Sequence, residues 1–131
     1  MSKSVYDLKV KGFDELFKNL NKIEQAIVDE IEGIIKKAAE KIRKEAEERA
    51  PELTGDLAGS IKVKTLEIKK DKIKIGIGPV GDDVFYWFFV EYGTAHSAAQ
   101  PYLRPAFDNN KKAVEKEIAR GLQKLIRREG I

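Results

Sequence analysis

The stretch that decides the fold is IKVKTLEIKKDKIKIGIGP, residues 61–79, in which apolar side chains alternate with lysines. Alternation with a period of two is typical of strands that bury one face, and Lys70-Asp71 within the stretch predicts a hairpin turn. The alternation slips its phase between Val63 and Leu66, so either Thr65 marks a β-bulge or the strand bends there. The apolar positions of the predicted strands are Ile61, Val63, Leu66, Ile68, Ile73, Ile75 and Ile77.

Upstream of this hairpin, the apolar period changes to that of a helix. From Phe13 onward, apolar residues recur every three or four positions, and the other face carries Lys and Glu, as expected of an amphipathic helix. Because the pattern exceeds the usual helix length, we expect a break near Leu20–Lys22. Pro51 ends the helix, since its ring disfavours helical geometry at Ala50. Ahead of the helix, alternation at residues 6, 8 and 10 predicts a short strand.

Downstream of the hairpin, an aromatic segment leads to a second long helix. Phe85, Phe88, Phe89 and Tyr92 are spaced as on a helix that Gly93 could cap in the left-handed conformation, although such an aromatic run would also suit a strand. We favour two helical turns. The last helix has Pro at position 105 in its first turn, and its apolar face is Phe107, Val114, Ile118, Leu122, Leu125 and Ile126.

This element order predicts an α+β fold, a small antiparallel sheet with a long N-terminal helix and a C-terminal helix packed on one face. The 131 residues suit a single domain over residues 1–131, and 42% hydrophobic with 36% charged residues suits a soluble one. The longest apolar run, Val84–Val90, is far below the ~20 residues of a membrane span, and no apolar leader opens the chain. We therefore expect neither membrane insertion nor export.

Residues for catalysis, metals or cofactors are scarce. The chain has no cysteine and one histidine, His96, which excludes thiolate sites and leaves little for a triad. Residues 76–81 fit G-x-G-x-x-G, but an antiparallel hairpin is the wrong context for a dinucleotide site. Asp82-Asp83 could bind a hard cation, although two adjacent acids in a turn are usually solvated. His96 with Glu91 could form an acid–base pair in a toxin-like ribonuclease. We expect no enzyme activity, no metal and no cofactor.

The net charge of +3 is concentrated at the C-terminal end. Residues 105–131 carry 7 basic and 4 acidic groups. Such a helix could bind phosphates as a small nucleic-acid-binding module, or it could be an ordinary solvated face. Interspersed Glu115, Glu117 and Glu129 favour the solvated face. The positions that would face DNA are Arg120, Lys124, Arg127 and Arg128.

Aromatic residues are concentrated between positions 85 and 107. They could form the core against the long helix, because aromatic burial dominates core energetics. They could also form a subunit interface, where Tyr, Trp and Phe are enriched. Both interpretations can hold for different faces of the segment.

Two blocks of sequence resemble a known family. APELTGDLAGSI at residues 50–61, and FVEYGT at 89–94 followed by QPYLRPAF at 100–107, resemble the motifs of the HK97 gp10-like family of tailed-phage head–tail joining, or tail completion, proteins. Leu53 departs from the pattern, which favours an acid there. The motif and candidate interface positions are Pro51, Thr54, Gly55, Leu57, Ser60, Phe85, Trp87, Phe89, Glu91, Tyr92, Gly93, Thr94, Pro101, Tyr102, Arg104 and Pro105.

The resemblance implies a structural protein of a phage or prophage. It implies a ring, commonly hexameric, between the tail tube and the head connector, with transient contact to phage DNA in the bore. The location implied is the virion neck, and the host cytoplasm before assembly. From the residues themselves, Glu91 and Arg104 stand in two otherwise apolar blocks, so we expect them to pair with each other or across a subunit boundary.

Overall fold

Six elements of secondary structure are present in the computed structural model, which describes residues 25–51, 56–69, 72–81, 87–96 and 98–130. The predicted strand at residues 6–10, the break near Leu20–Lys22, the turn at Lys70-Asp71, and Asp82-Asp83 lie outside these ranges. The elements are α1 (Gln25–Arg49), α2 (Asp56–Ser60), β1 (Ile61–Lys69), β2 (Lys72–Pro79), α3 (Trp87–Tyr92) and α4 (Leu103–Glu129).

Helix α1 follows the predicted amphipathic pattern and ends where proline requires. Its last turn closes with a bond from the Ala50 N–H to the Ala46 carbonyl, 2.9 Å long, and Pro51 follows outside the helix. The predicted helix end is therefore confirmed. The buried residues of α1 are Ile31, Ala38, Ala39, Ile42 and Ala46.

Strands β1 and β2 form an antiparallel pair with one irregularity. Thr65 lies opposite Ile75, whereas Glu67 lies opposite Lys74, so Leu66 is an extra residue in β1. Of the two alternatives that the phase slip left open, the structure shows the bulge, between Thr65 and Glu67. Extra residues of this kind bend the strand and increase its local twist. On the bulged strand, the Thr65 hydroxyl also donates to the Glu32 carboxylate of α1, which ties the irregularity to the helix.

The core lies around α1, which packs against both strands and along α4. Every predicted apolar position of α4 is buried except Ile126, which packs at the edge of the core. The backbones of α1 and α4 approach closely at Gly121, where a β-carbon would come within 2.6 Å of Ile34 Cγ2. The α+β architecture with a two-stranded antiparallel sheet is confirmed.

Helix α4 begins two residues before Pro105 and ends in a left-handed glycine. Tyr102 occupies the N-cap position and contributes no side-chain capping bond. Gly130 has a φ of 69° and donates its N–H to the Ile126 carbonyl, as in many helix C-termini. Among the helices of the described residues, none combines the length and the apolar character needed to cross a membrane.

Candidate functional site

Helix α3 positions the first half of the candidate site. The segment Trp87–Tyr92 is helical, which confirms the prediction of helix rather than strand, while Phe85 lies outside the described residues. Gly93 follows with a φ of 77°, in the left-handed region that glycine adopts without strain. The chain then returns, because the Gln100 N–H donates to the Val90 carbonyl at 2.8 Å.

Glu91 lies at the centre of this site and is completely buried. Its Oε1 accepts the backbone N–H groups of Tyr102 at 2.9 Å and Leu103 at 2.8 Å. Its Oε2 accepts the N–H of Arg104 at 3.1 Å. One side chain on α3 therefore binds the first turn of α4, and we call the set Glu91, Tyr92, Tyr102, Leu103 and Arg104 the Glu91 junction.

The junction accounts for the four N–H groups that a helix leaves without an internal acceptor at its N-terminus. Here these belong to the N-cap residue and the three positions after it. Tyr102, Leu103 and Arg104 donate to Glu91, and the fourth position is Pro105, which has no N–H. A buried negative charge at a helix N-terminus also interacts favourably with the helix dipole.

Arg104 adds a charge of opposite sign at the edge of the junction. Its Nε lies 3.4 Å from Glu91 Oε2, which confirms the predicted pairing. Its guanidinium carbon lies 5.3 Å from the centre of the Tyr92 ring, within the range of a cation–π contact. Because 43% of the Arg104 side chain remains exposed, the residue connects the buried carboxylate to the protein surface.

The same geometry bears on the ribonuclease hypothesis. Glu91 is buried and its carboxylate binds α4. His96, in contrast, lies on an exposed loop, where its backbone N–H donates to Thr94 Oγ1 at 3.1 Å. A general base must come within hydrogen-bond reach of the substrate. Glu91 is therefore a structural acceptor, and nothing in the described residues supports the acid–base pair.

A comparison with protein families decides the assignment. The model of the HK97-gp10-like family, described as "Bacteriophage HK97-gp10, putative tail-component", matches residues 14–93, more than half of the chain. The chain belongs to this family. The match includes Glu91 and ends ahead of α4. No curated protein and no solved structure matches the chain.

The upstream motif of this HK97-gp10-like protein joins helix α2 to both strands. Leu57 is buried in the core, and the Ser60 hydroxyl donates to the Leu57 carbonyl at 2.7 Å. The Ser60 carbonyl in turn accepts the N–H of Val80 at 2.9 Å. Ser60 thereby fixes where β1 begins relative to the end of β2, while Thr54 and Gly55 lie outside the described residues.

Of the four α4 cations considered for DNA contact, one forms an ion pair with α1 and three are exposed to solvent. Arg128 binds both carboxylate oxygens of Glu30 on α1, at 2.8 and 2.7 Å. Arg120, Lys124 and Arg127 are exposed. The structure brings none of the four into the Glu91 junction. Within the described ranges, no group of three His, Cys, Asp or Glu side chains is arranged to hold a metal ion.

The capping role of Glu91 was missed by sequence reasoning, which considered as its partners Arg104, His96 and a residue across a subunit boundary. Two signals in the sequence could have indicated it. Helix α4 starts after Tyr102, a residue with no side chain suited to an N-cap, and Glu91 is the only acid in its apolar block. A helix without a local cap and an acid without a local partner can satisfy each other.

Proposed function

We propose that the chain is a structural subunit of the head–tail joining, or tail completion, type. It assembles as a ring, a hexamer in the form we expect, between the tail tube and the head connector, and it performs no catalysis. Membership of a family of phage tail components supports the virion as its destination. The observation that carries the proposal is the Glu91 junction, because it anchors the chain directly after an exposed loop.

That loop lies between Gly93 and Gln100. Thr94, His96 and Gln100 are exposed, yet the loop is held at one end by the bond from Gln100 to Val90 and beyond it by Glu91. Ring closure needs the same heterologous interface repeated at a fixed angle around an axis. A loop that is anchored at both ends suits this role, since anchoring reduces the conformational entropy that is lost on binding.

Arg104 and Tyr92 flank this loop and complete the proposed interface. Arg104 is partly exposed and lies over the Tyr92 ring. Arg and Tyr are enriched at protein interfaces and among the residues that contribute most to binding. The neighbouring subunit, the tail tube and the head connector are the proposed partners. The subunit is made in the host cytoplasm and ends in the neck of the virion.

Deletion and complementation of the gene in the phage or prophage that carries it test this function. We expect the deletion to yield separate heads and tails in electron micrographs, and the purified protein to restore infectivity when mixed with the two. Rings should appear by negative-stain microscopy, alone or on isolated tails. Normal joining of heads and tails in the deletion strain would refute the proposal.

Two variants locate the interface within the same assay. Arg104→Ala removes an exposed charge but leaves the backbone N–H of residue 104 on Glu91, so the fold should persist while joining falls by roughly tenfold or more, as for a residue at the centre of an interface. Arg127→Ala, an exposed change far along α4, is the matched control and should join normally. If both variants joined heads and tails equally well, the interface would lie elsewhere.

A further inference from the structure

The outer face of the β-hairpin carries a cluster of lysines that the proposed ring interface does not use. Ile61, Ile73 and Ile77 point inward and pack in or against the core. Side chains alternate between faces along a strand, so the intervening residues point away from α1. The lysine face consists of Lys62, Lys64, Lys69, Lys72 and Lys74.

The register of the hairpin brings these lysines close together. Lys69 lies opposite Lys72, and Lys74 lies opposite Glu67. Along one strand, lysines two positions apart are about 6.7 Å apart, and neighbouring strands are about 4.8 Å apart. The result is a two-dimensional cationic patch. All of the lysines are exposed except Lys74, which is half-buried.

One acid neutralises a small part of this charge. Glu67 binds Lys69 Nζ at 2.7 Å. The hydrogen bond from Lys69 lowers the pKa of the Glu67 carboxyl, and the charges of Lys69, Lys72 and Lys74 lower it further. In the described part of the chain, no carboxylate forms an ion pair with Lys62, Lys64, Lys72 or Lys74. The face therefore keeps most of its positive charge.

The floor of the lysine face is partly open. Lys62 lies opposite Gly78 and Lys64 opposite Gly76. No atom lies within 4 Å of the position that a β-carbon of Gly78 would occupy, whereas Leu66 covers Gly76. Glycine in a strand allows close approach of another molecule to the backbone. A polyanion can therefore come near the hairpin at one end.

We propose that the lysine face contacts the phosphate backbone of double-stranded DNA. This inference rests on the proposed function for its setting, the bore through which the genome passes. Lysine is depleted at protein–protein interfaces but is a main source of phosphate contacts, which favours DNA over an acidic protein. The sequences of β1 and β2 contain no aromatic residue and no Arg. Binding is consequently weak, independent of base sequence and sensitive to salt.

Helix α4 provides the internal comparison. Its exposed cations include Lys116, Arg120, Lys124 and Arg127, but acids are interspersed among them. Near the C-terminal end of this surface, Arg128 pairs with Glu30 and Glu129, so part of its positive charge is already compensated. Among the described residues of the lysine face, Glu67 is the one acid, so this face should give the stronger potential.

Fluorescence anisotropy of a labelled DNA duplex tests the proposal on the isolated, full chain. The test variant changes Lys62, Lys64, Lys72 and Lys74 to Gln, and the matched control changes Lys116, Arg120, Lys124 and Arg127 to Gln. At about 25–50 mM salt we expect the affinity of the test variant to fall by roughly tenfold or more. The slope of log K against log salt should decrease by about 0.9 for each phosphate that the variant no longer neutralises. The affinity of the control should change less than about threefold, because acids are interspersed among its cations.

Three outcomes would overturn the inference. The first is no binding of the unmodified chain at low salt, and the second is an equal or larger fall in affinity for the α4 control. The third is tighter binding to poly-L-glutamate than to the duplex at equal charge concentration, which would indicate an acidic protein partner. Circular dichroism melts establish that both variants are folded. The assay needs no ring, so a failed complementation experiment with intact DNA binding would refute the proposed function separately.

Discussion

The two ends of helix α4 are both held by charged side chains, but in opposite environments. At the N-terminus, buried Glu91 accepts three backbone N–H groups and lies 3.4 Å from Arg104. At the C-terminus, Arg128 binds Glu30 on the surface at a shorter distance, 2.7 Å. The surface pair has the shorter distance, yet it should stabilise its end of the helix less, because water solvates both Arg128 and Glu30.

This difference shows that burial, rather than distance, decides what a charge contributes. An exposed ion pair replaces solvation that each partner had before folding, so its net effect is small and falls with salt. A buried carboxylate that satisfies otherwise unpaired donors has no such alternative, and its removal leaves those donors unpaired. Substitutions at the two ends of α4, at Gly121 between them, and at Glu45 of α1, which binds Asn109 of α4, test this contrast.

The largest effect is expected at Glu91. Glu91→Ala leaves three N–H groups at the start of α4 without an acceptor, and we expect a loss of about 3–5 kcal/mol in the free energy of unfolding. Urea denaturation followed by circular dichroism measures it. Glu91→Gln keeps one carbonyl oxygen as an acceptor and should lose less. If Glu91→Ala lost no more than Arg128→Ala, burial would not explain the contrast.

A second test lies between the two ends, where α4 meets α1. A β-carbon at Gly121 would come within 2.6 Å of Ile34 Cγ2, and such overpacking costs about 1–3 kcal/mol. The helix propensity gained from Gly to Ala is about 1 kcal/mol, so Gly121→Ala should destabilise by about 1 kcal/mol in urea denaturation. Gly33→Ala is the control. Its β-carbon would meet nothing within 4 Å, and the melting temperature should rise. A stabilised Gly121→Ala would mean that the helices can separate at no cost.

Acid titration tests a group of intermediate exposure. Asn109 donates a hydrogen bond to Glu45 that lowers the pKa of that carboxyl, and Arg49 lowers it further. A carboxyl whose pKa is lowered by folding stabilises the protein above its unfolded pKa and loses this contribution as pH falls through the folded pKa. Stability of the parent should therefore decline below about pH 4.5. Glu45→Gln should make this decline less steep. If the decline of stability at low pH were the same in Glu45→Gln and the parent, Glu45 would not be its cause.

The smallest effect is expected at Arg128. Arg128→Ala removes the bonds to Glu30, yet the melting temperature at about 0.15 M salt should remain within experimental error, because the pair is exposed. Any difference in melting temperature between Arg128→Ala and the parent should appear only at low salt, where screening is weak. A large fall in melting temperature that persists in about 1 M salt, where screening is strong, would show that the two ends of α4 are more alike than their burial indicates.

The sequence predicted those parts of the fold that depend on local period. Spacings of three and four predicted α1 and α4, and alternation predicted β1 and β2. The phase slip near Thr65 predicted a bulge or a bend at the position where the bulge lies. These features are set by which side chains share a face, and a face can be assigned from neighbours in sequence. The left-handed glycine after α3 was also predictable, because Gly93 directly follows the last residue of the helical stripe.

The start of α4 and the role of Glu91 needed the structure. Capping rules examine residues next to a helix, whereas this acceptor lies 11 residues before Tyr102. The sequence did predict a partner for Glu91, and Arg104 is one. It could not show that the backbone of Arg104 and its two predecessors would be the main partners, because backbone donors carry no signature in the sequence.

The loop between Gly93 and Gln100 offers a position for protein engineering. The loop begins directly after α3, and the bond from the Gln100 N–H to the Val90 carbonyl fixes its other end. Residues can therefore be inserted within the loop while both of its ends stay in place. Loop-closure entropy grows slowly, by about 0.6 kcal/mol for each doubling of length. An epitope tag inserted after Thr94 should therefore leave the fold of the subunit intact.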